Sequence, residues 1–125
     1  MNDDLSFLGL VRHETAVTAL VPGQYLFQKG DLASVMYVVK SGELQIGEGN
    51  IVYETVGPGG IVGEMALVDG APRSASVKAL TPCELVAIDQ RRFLFLIQQT
   101  PFFAVRVMRV LAQRLRAMNE RLTQL

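Results

Sequence analysis

The chain of 125 residues is poor in the side chains that build disulfides, metal centres and hydrolytic sites. Its single cysteine, Cys83, excludes an internal disulfide and any multi-cysteine zinc or iron–sulfur site, and it favours a reducing cytoplasm. Its single histidine, His13, excludes sites that need two or three imidazoles and lies outside any motif for Ser-His-Asp chemistry. We therefore predict that the protein is not an enzyme and holds no metal.

Long apolar runs are missing as well. No apolar stretch approaches the roughly 18 residues of a membrane span, so the sequence predicts no transmembrane helix and no membrane partner. The N-terminus, Met-Asn-Asp-Asp, is acidic, whereas a secretory signal peptide begins with basic residues. Half of the residues are hydrophobic and 19% are charged, which excludes disorder and predicts a single domain over residues 1–125.

The net charge of zero conceals two oppositely charged parts. Residues 1–90 carry five basic and 11 acidic side chains, whereas residues 91–125 carry seven arginines and one glutamate. A basic helix can indicate nucleic acid binding, but no groove-reading motif or aromatic stacking platform accompanies this one. We therefore expect no sequence-specific nucleic acid binding by this chain, only weak binding that disappears by physiological salt.

Glycine is distributed as unevenly as charge, because all 11 glycines occur at or before Gly70. They separate short runs rich in β-branched and aromatic residues, a pattern typical of a sandwich, barrel or jelly roll. The β part is predicted over about residues 15–89, after a short helical segment over about residues 4–14. The predicted strands cover residues 15–21, 24–27, 35–40, 43–47, 51–56, 74–80 and 83–88.

The remainder, about residues 90–123, predicts helices. Asp89 is a suitable N-cap for a helix over residues 91–99, and Thr100-Pro101 ends that helix and begins another. Apolar residues then recur at alternating steps of four and three, the spacing of a heptad coiled coil. This spacing predicts a homodimer through the C-terminal helix; the alternative is an amphipathic helix packed on its own domain. The apolar positions are Ala104, Met108, Leu111, Leu115, Met118, Leu122 and Leu125.

Residues 63–75, Gly-Glu-Met-Ala-Leu-Val-Asp-Gly-Ala-Pro-Arg-Ser-Ala, combine the features of an anion site. A glycine turn leads into a helix-like stretch whose free backbone N–H groups favour an anion. Arg73 can donate a forked pair of hydrogen bonds to a phosphate, and Glu64 can accept from a sugar hydroxyl. The segment therefore suits a sugar phosphate of low charge. The alternatives are an ion pair of Arg73 with Glu64 or Asp69, and a merely exposed turn carboxylate at Glu64.

This segment resembles the phosphate-binding cassette of the cyclic nucleotide-binding domain family, which includes the bacterial catabolite activator and the regulatory subunits of cAMP-dependent protein kinase. Residues 22–31, Pro-Gly-Gln-Tyr-Leu-Phe-Gln-Lys-Gly-Asp, and residues 37–44, Tyr-Val-Val-Lys-Ser-Gly-Glu-Leu, are similar to the family's early strands and turns. The resemblance covers about residues 20–123. It implies a mainly β fold, a jelly-roll (double-stranded β-helix-like) β-roll with a short N-terminal helix and C-terminal helices.

The resemblance also implies residue roles. Glu64 would accept from the ribose 2′-hydroxyl, and Arg73 would pair with the exocyclic oxygens of the cyclic phosphate. Backbone N–H groups near Ala66, together with Ser74, would complete the phosphate site, and Gly63 would let the backbone come close. The candidate ligand-binding residues are Val62, Gly63, Glu64, Met65, Ala66, Arg73, Ser74, Ala75, Arg114 and Asn119.

Recognition of the base is implied less directly. The family's C-terminal helix closes over the purine, which places Arg114, Met118 and Asn119 near it. Asn119 could pair with an adenine edge, and Arg114 could stack on the base or meet Glu64. By family position, hydrophobic ring contacts would come from Ile61, Val62 and Leu67.

The function that the resemblance implies is a cyclic nucleotide-binding sensor that signals through its C-terminal helix. The ligand is expected to be cAMP, with cGMP left open, since Ser74 is a small residue where a threonine favours cGMP in some relatives. The alternative is a dimerisation or scaffold module with the same fold that binds no nucleotide. Val62 departs from the family, where an aromatic residue is common. No helix-turn-helix, kinase or channel segment appears before Leu125, so the sequence leaves the output open.

Overall fold

The structure, a computed structural model, describes residues 6–123. Of the predicted N-terminal helical segment, residues 4 and 5 lie outside the described part, and the rest contains one short helix. The elements in chain order are α1 Leu8–Val11, β1 Thr18–Leu20, β2 Tyr25–Phe27, β3 Val35–Ser41, β4 Leu44–Glu48, β5 Ile51–Val56, β6 Ile61–Val62, α2 Glu64–Asp69, β7 Ser76–Ala79, β8 Cys83–Asp89, α3 Gln90–Gln99 and α4 Pro101–Thr123.

The strands form two antiparallel sheets of four strands each. The first sheet has the order β1-β8-β3-β6 and the second the order β2-β7-β4-β5. Most neighbouring strands are distant in sequence, because the chain crosses repeatedly from one sheet to the other, as in a jelly roll. Val38 lies opposite Val86 in the first sheet, and Leu44 lies opposite Ala79 in the second. The predicted jelly-roll fold with flanking helices is confirmed.

A cluster of buried apolar side chains fills the space between the sheets, with Val39 and Leu85 from the first and Leu44 and Val77 from the second. Since successive side chains of a strand point to opposite faces, Val38 lies in a different cluster from its neighbour Val39. The first sheet is therefore buried on both faces, which explains the continuous apolar sequence of β3.

The outer face of the first sheet packs against the helices. The second cluster joins buried residues of β3 and β8 with residues of all four helices. Phe103 of α4 makes edge-to-face contacts with Phe7 and Phe93, at ring-centroid distances of 5.8 and 5.5 Å. Such pairs contribute about 0.5–1.5 kcal/mol beyond their burial, so the start of α4 is fixed firmly to the sheet.

Helices α3 and α4 meet at a sharp bend. The N-cap residue Asp89 accepts a hydrogen bond from the Arg92 backbone N at 2.8 Å, and α4 begins at Pro101, both as predicted. Within residues 6–123 no single helix is long and apolar enough to cross a membrane. The pair of α3 and α4 meets the length and composition criteria together, but with a bend of 117° between them.

Some strands differ from the prediction, and the one expected over residues 15–21 is confined to Thr18–Leu20. The strand expected over residues 74–80 begins at Ser76, because Ser74 and Ala75 form a bend that belongs to the preceding loop. The sequence does not predict β6, because its two residues, Ile61 and Val62, are too few to show an alternating pattern.

The apolar residues of α4 lie in two different surroundings. Leu111 packs against the core cluster, and Met118 borders a cavity beside the second sheet. Met108, Leu115 and Leu122, spaced seven residues apart, are between 57% and 61% exposed. Packing on the chain's own domain therefore accounts for one part of the heptad pattern and leaves the other part uncovered; Leu125 lies outside the described residues.

Candidate functional site

The segment of residues 63–75 forms a loop, a short helix and a second loop between β6 and β7. Gly63 is the N-cap of α2 with φ of +78°, a left-handed conformation that favours glycine. A Cβ at this position would lie 2.5 Å from Arg73 Nη1. Glycine at this position therefore allows both the turn and the close approach of Arg73. Within residues 6–123 no side chain caps the first turn of α2, so its backbone N–H groups have no side-chain acceptor there.

The backbone of Arg73 is fixed to the turn that follows β2. Arg73 N donates to Asp31 O at 2.9 Å, and Gly30 N donates to Arg73 O at 2.8 Å. Gly30 has φ of +91°, which explains why this turn carries a glycine. Two segments more than 40 residues apart in the chain thereby set the position from which the Arg73 side chain extends.

The Arg73 side chain is buried and held by main-chain oxygens. Nη1 donates to Gly63 O at 3.2 Å and Nη2 to Val35 O at 2.8 Å. The guanidinium lies over the ring of Phe27, 3.9 Å from its centroid. Among the described residues, Arg73 forms no ion pair with Glu64 or Asp69, so the structural alternative considered for it does not apply.

One buried nitrogen of Arg73, Nε, has no hydrogen-bond partner among the described residues. Burial lowers the pKa of the guanidinium, and the nearby Tyr37, Asp31 and Glu64 oppose this effect. Arginine still remains protonated at neutral pH. Because a buried unsatisfied donor costs about 1–3 kcal/mol, an acceptor that reached this Nε would be favoured.

Glu64, at the first position of α2, is buried with 2% of its surface exposed. Its Oε1 accepts a 2.6 Å hydrogen bond from Nη1 of Arg114, which extends from α4. Arg114 also donates from Nε to Glu54 Oε1 at 2.8 Å and from Nη2 to Ile61 O at 2.7 Å. We call Glu54, Glu64 and Arg114 the Arg114 cluster. Burial disfavours the charged guanidinium, but the carboxylates of Glu64 and Glu54 outweigh this effect and raise the pKa of Arg114.

Arg73 and the Arg114 cluster line one cavity of about 400 Å³, which lies between the segment 63–75, the second sheet and α4. This volume falls in the range of about 300–1,000 Å³ that is usual for small-molecule sites. Within residues 6–123 no group of three or more His, Cys, Asp or Glu side chains is placed to hold a metal ion. The cavity is lined by Phe27, Ile46, Glu48, Tyr53, Glu54, Gly63, Glu64, Met65, Ala66, Pro72, Arg73, Ser74, Ala75, Val77, Arg114, Ala117, Met118 and Arg121.

Residues of β4, β5 and α4 make a second polar group along this cavity. Tyr53 Oη donates to Glu48 Oε1 at 3.0 Å, and Lys29 Nζ donates to Glu48 Oε2 at 2.8 Å. The Arg121 guanidinium lies over the Tyr53 ring, 4.7 Å from its centroid. The hydrogen bond from Lys29, followed by that from Tyr53, lowers the pKa of Glu48, and the Glu48 carboxylate raises the pKa of Tyr53. This group therefore links α4 to the second sheet.

The structure places most of the sequence-predicted site residues around the cavity. Ser74 Oγ donates to Met65 Sδ at 3.7 Å, which joins the loop after α2 to the first turn of α2. The predicted residues that line the cavity are Gly63, Glu64, Met65, Ala66, Arg73, Ser74, Ala75 and Arg114.

Two predicted site residues lie elsewhere. Val62 is fully buried between the sheets, because β6 turns its side chain into the core. Asn119 is exposed and does not line the cavity of its own chain. Helical geometry explains this. Asn119 follows Arg114 by five residues, which turns its side chain about 140° away from that of Arg114. Residues three, four or seven positions after Arg114 lie on nearly the same face as Arg114. The ring contacts expected from Ile61, Val62 and Leu67 stay a prediction; all three are core residues and none of them lines the cavity.

Sequence reasoning missed several residues that line the cavity. Phe27 and Tyr53 look like ordinary strand aromatics, and Glu54 like an ordinary strand carboxylate on an exposed face. Arg121 was visible only as part of the basic helix. Its spacing of seven residues from Arg114 is the one signal in the sequence that places the two arginines on the same face.

Comparison with known proteins gives the same result for the fold. The family model described as "Cyclic nucleotide-binding domain" matches residues 17–100. The "Cyclic AMP receptor protein" of Thermus thermophilus is 36% identical over 99 residues, which are 75% of this chain and 46% of that protein. The chain thus spans about half the length of this curated relative.

Solved structures agree. The crystal structure of the Thermus thermophilus catabolite activator protein superposes with a TM-score of 0.77 at 32% identity, over 87% of this chain and 54% of that one. The cAMP-bound form of the EAL enzyme Bd1971 superposes with a TM-score of 0.64 at 29% identity, over 87% of this chain and 31% of that one. Its cGMP-bound form superposes with a TM-score of 0.66 at 30% identity, over 84% of this chain and 29% of that one.

Three observations lead to one assignment. They are the family model over residues 17–100, the jelly roll of two four-stranded sheets, and the buried arginine beside the start of α2. The chain belongs to the cyclic nucleotide-binding domain family.

Proposed function

We propose that the protein is a cyclic nucleotide sensor module whose ligand occupies the cavity between the segment 63–75, the second sheet and α4. The observation that carries the proposal is Arg73, a buried guanidinium that lines the cavity with its Nε donor unpartnered among the described residues. A cyclic phosphodiester carries one negative charge and several acceptor oxygens, which suits one arginine better than a cluster of cations. A charge-assisted hydrogen bond of this kind contributes about 1.5–3 kcal/mol.

The residues around Arg73 suit the other parts of such a ligand. The Glu64 carboxylate, engaged by Arg114 through Oε1, would accept from the ribose 2′-hydroxyl. The first-turn N–H groups of α2 around Ala66, together with Ser74, would donate to phosphate oxygens. Met65 and Ala75 line the cavity beside them, and Gly63 keeps the space for Arg73 open.

We propose cAMP as the ligand, with cGMP as the alternative. The Thermus relative is named a cyclic AMP receptor protein, and the EAL enzyme Bd1971 has been solved in cAMP-bound and cGMP-bound forms. Ser74 is smaller than the threonine that favours cGMP in some relatives. Asn119, which lies outside the cavity of its own chain, would reach a purine only from a second copy of the chain.

The signal would leave through α4, which contributes Arg114, Met118 and Arg121 to the cavity and also presents the exposed line of Met108, Leu115 and Leu122. A ligand that contacts both the segment 63–75 and α4 favours the arrangement in which it binds them best. We further propose a cytoplasmic homodimer that joins through the exposed apolar line of α4, with a regulatory and not an enzymatic role.

Calorimetric titration with cAMP and with cGMP tests the proposal. We expect micromolar binding of cAMP by the unaltered protein and loss of that binding in Arg73→Ala. The matched control is Arg12→Ala, which removes an exposed arginine outside the cavity and should leave the affinity unchanged. Equal affinities for the unaltered protein and Arg73→Ala would contradict the proposed role of Arg73.

The second candidate function is a dimerisation or scaffold module with the same fold. The exposed line of Met108, Leu115 and Leu122 favours it, because three large apolar side chains at heptad spacing suit a helix–helix contact. Absence of binding of either nucleotide, together with a stable dimer in sedimentation, would establish this candidate over the sensor.

A further inference from the structure

A single side chain, that of Arg114, connects α4 to three elements of the domain. Its Nη1 donates to Glu64 of α2, its Nη2 donates to the carbonyl of Ile61 in β6, and its Nε donates to Glu54 of β5. Four hydrogen bonds engage the guanidinium, and the side chain retains 20% of its exposure. The second half of α4 is therefore fixed to the body of the domain at this residue.

Glu54 binds Arg114 through both of its carboxylate oxygens. Its Oε1 accepts from Arg114 Nε at 2.8 Å, and its Oε2 accepts from Arg114 Nη2 at 3.3 Å, so the two planar groups meet edge to edge. This forked geometry fixes orientation as well as distance. Glu54 itself lies within the second sheet, where it pairs with Ile46 of β4. The fork is thus built on a strand of the second sheet.

Charge at the site shows why Glu54 calls for an explanation. Glu54, Glu64, Arg73 and Arg114 together carry no net charge, and an anionic ligand would enter this group. By Coulomb attraction alone, a site for an anion would be improved by removing Glu54. Glu54 therefore contributes something other than attraction of the anion. Its contact with Arg114 shows what that contribution is.

We infer that Glu54 is a positioning residue that holds Arg114, and with it α4, against the sheets before any ligand arrives. The fork then favours the arrangement in which α4 closes the cavity, in the ligand-free protein as well. The fork also leaves Glu64 with only one of its oxygens engaged by Arg114, so that the other can serve a ligand.

The effect of this role of Glu54 on affinity rests on the proposed nucleotide site. If the closed arrangement is the one that binds, a variant in which it is less populated binds more weakly in proportion. Removal of the Glu54 charge should therefore weaken nucleotide binding, although electrostatics alone would strengthen it. The two explanations differ in the sign of the effect, which makes the variant decisive.

The test compares Glu54→Gln with Glu84→Gln, which removes the same charge from an exposed position of β8. Hydrogen exchange of the α4 amides around Arg114 is measured first, in the ligand-free protein. We expect about tenfold faster exchange in Glu54→Gln and no change in the control. Arg114→Lys, which keeps the charge but cannot form the fork, should behave like Glu54→Gln, and the double variant should add little.

Calorimetric titration of the same variants with cAMP and cGMP follows. We expect about tenfold weaker binding by Glu54→Gln, with α4 exchange returning to that of the unaltered protein at saturating ligand. Tighter binding, or weaker binding without faster exchange in the ligand-free state, overturns the inference. If the unaltered protein binds neither nucleotide, the proposed function fails by itself, since the exchange comparison needs no ligand and still decides what Glu54 does.

Discussion

At the scale of single residues, the site depends on how closely the backbone of Gly63 approaches the Arg73 side chain. Arg73 donates to the carbonyl of Gly63, lies over Phe27 and keeps its Nε unpartnered among the described residues. A side chain at position 63 would enter this space. One glycine therefore controls both a turn and the position of a buried charge.

Gly63→Ala should lose stability and affinity together. The left-handed backbone costs a residue with a Cβ about 1–3 kcal/mol, and the added methyl group would displace the Arg73 guanidinium. Urea denaturation and calorimetric titration measure the two losses. Gly70→Ala is the control, because Gly70 also has a positive φ, of +68°, but has open space around it. It should lose stability alone; an equal loss of affinity in both variants would mean that Arg73 is not displaced.

The pKa of Glu48 offers a second residue-scale prediction. Its hydrogen bonds from Lys29 and Tyr53 lower this pKa, so Tyr53→Phe should raise it towards the ordinary value. Because the folded-state pKa is the lower one, the contribution to stability is present above the unfolded-state pKa and disappears as the pH falls through the folded-state pKa. NMR titration of the Glu48 carboxyl carbon measures the shift. Tyr25→Phe, which alters an exposed tyrosine outside the cavity, should leave the Glu48 titration unchanged.

At the scale of elements, α4 has two faces with different neighbours. One face packs through Phe103 and Val107 on the first sheet and then lines the cavity through Arg114 and Arg121. The other face presents Met108, Leu115 and Leu122 to the surroundings. A ligand and a second copy of the chain would therefore contact the same helix from different sides, which is what coupling between binding and assembly requires.

Leu115→Asp should convert a dimer into a monomer. The charge would lie at the centre of the exposed apolar line, where an opposing helix leaves it no water and no partner. Sedimentation velocity over a range of concentrations measures the change. Gln113→Asp adds the same charge to an exposed position of α4 that lies outside the apolar line, and it should leave assembly unchanged. A monomeric unaltered protein at high concentration would rule out self-association through this line.

At the scale of the whole molecule, the two oppositely charged parts of the chain are in contact. Arg92 of α3 pairs with Glu14 at 2.9 Å, and Arg114 of α4 pairs with Glu54 and Glu64. Arg121 contributes a further contact to Tyr53. The acidic body and the basic tail therefore neutralise each other where the helices meet the rest of the domain.

This arrangement leaves less positive charge for nucleic acid than the composition suggests. We expect weak DNA retardation by the protein at about 50 mM salt and none at about 200 mM, with no preference among sequences. Gel retardation with two unrelated duplexes at both salt concentrations measures this. Retardation of one duplex alone at the higher salt would show a specific contact that the helices of this chain do not suggest.

The sequence by itself determined the features whose residue pattern lies within a short stretch of the chain. The cap at Asp89 and the break at Pro101 depend on contacts within a few residues, so both are visible in the chain. The apolar run of β3 and the segment 63–75 make distant contacts, but each has a residue pattern that is complete within a short stretch of sequence. The jelly roll followed from the same local signals taken together with the family resemblance. Arg73 and Glu64 were candidate site residues because both lie in the segment 63–75.

The tertiary structure alone decided which distant side chains share the cavity. Glu54 and Tyr53 reach it because β5 pairs with β4, with a shift of register between Ile46 and Gly47 beside them. Arg114 and Arg121 reach it because α4 bends back at Pro101 and packs across the sheet. The same packing turned Val62 into the core and left Asn119 outside. Strand register and helix rotation depend on how much apolar surface the whole domain buries. They therefore cannot be read from any short stretch of sequence.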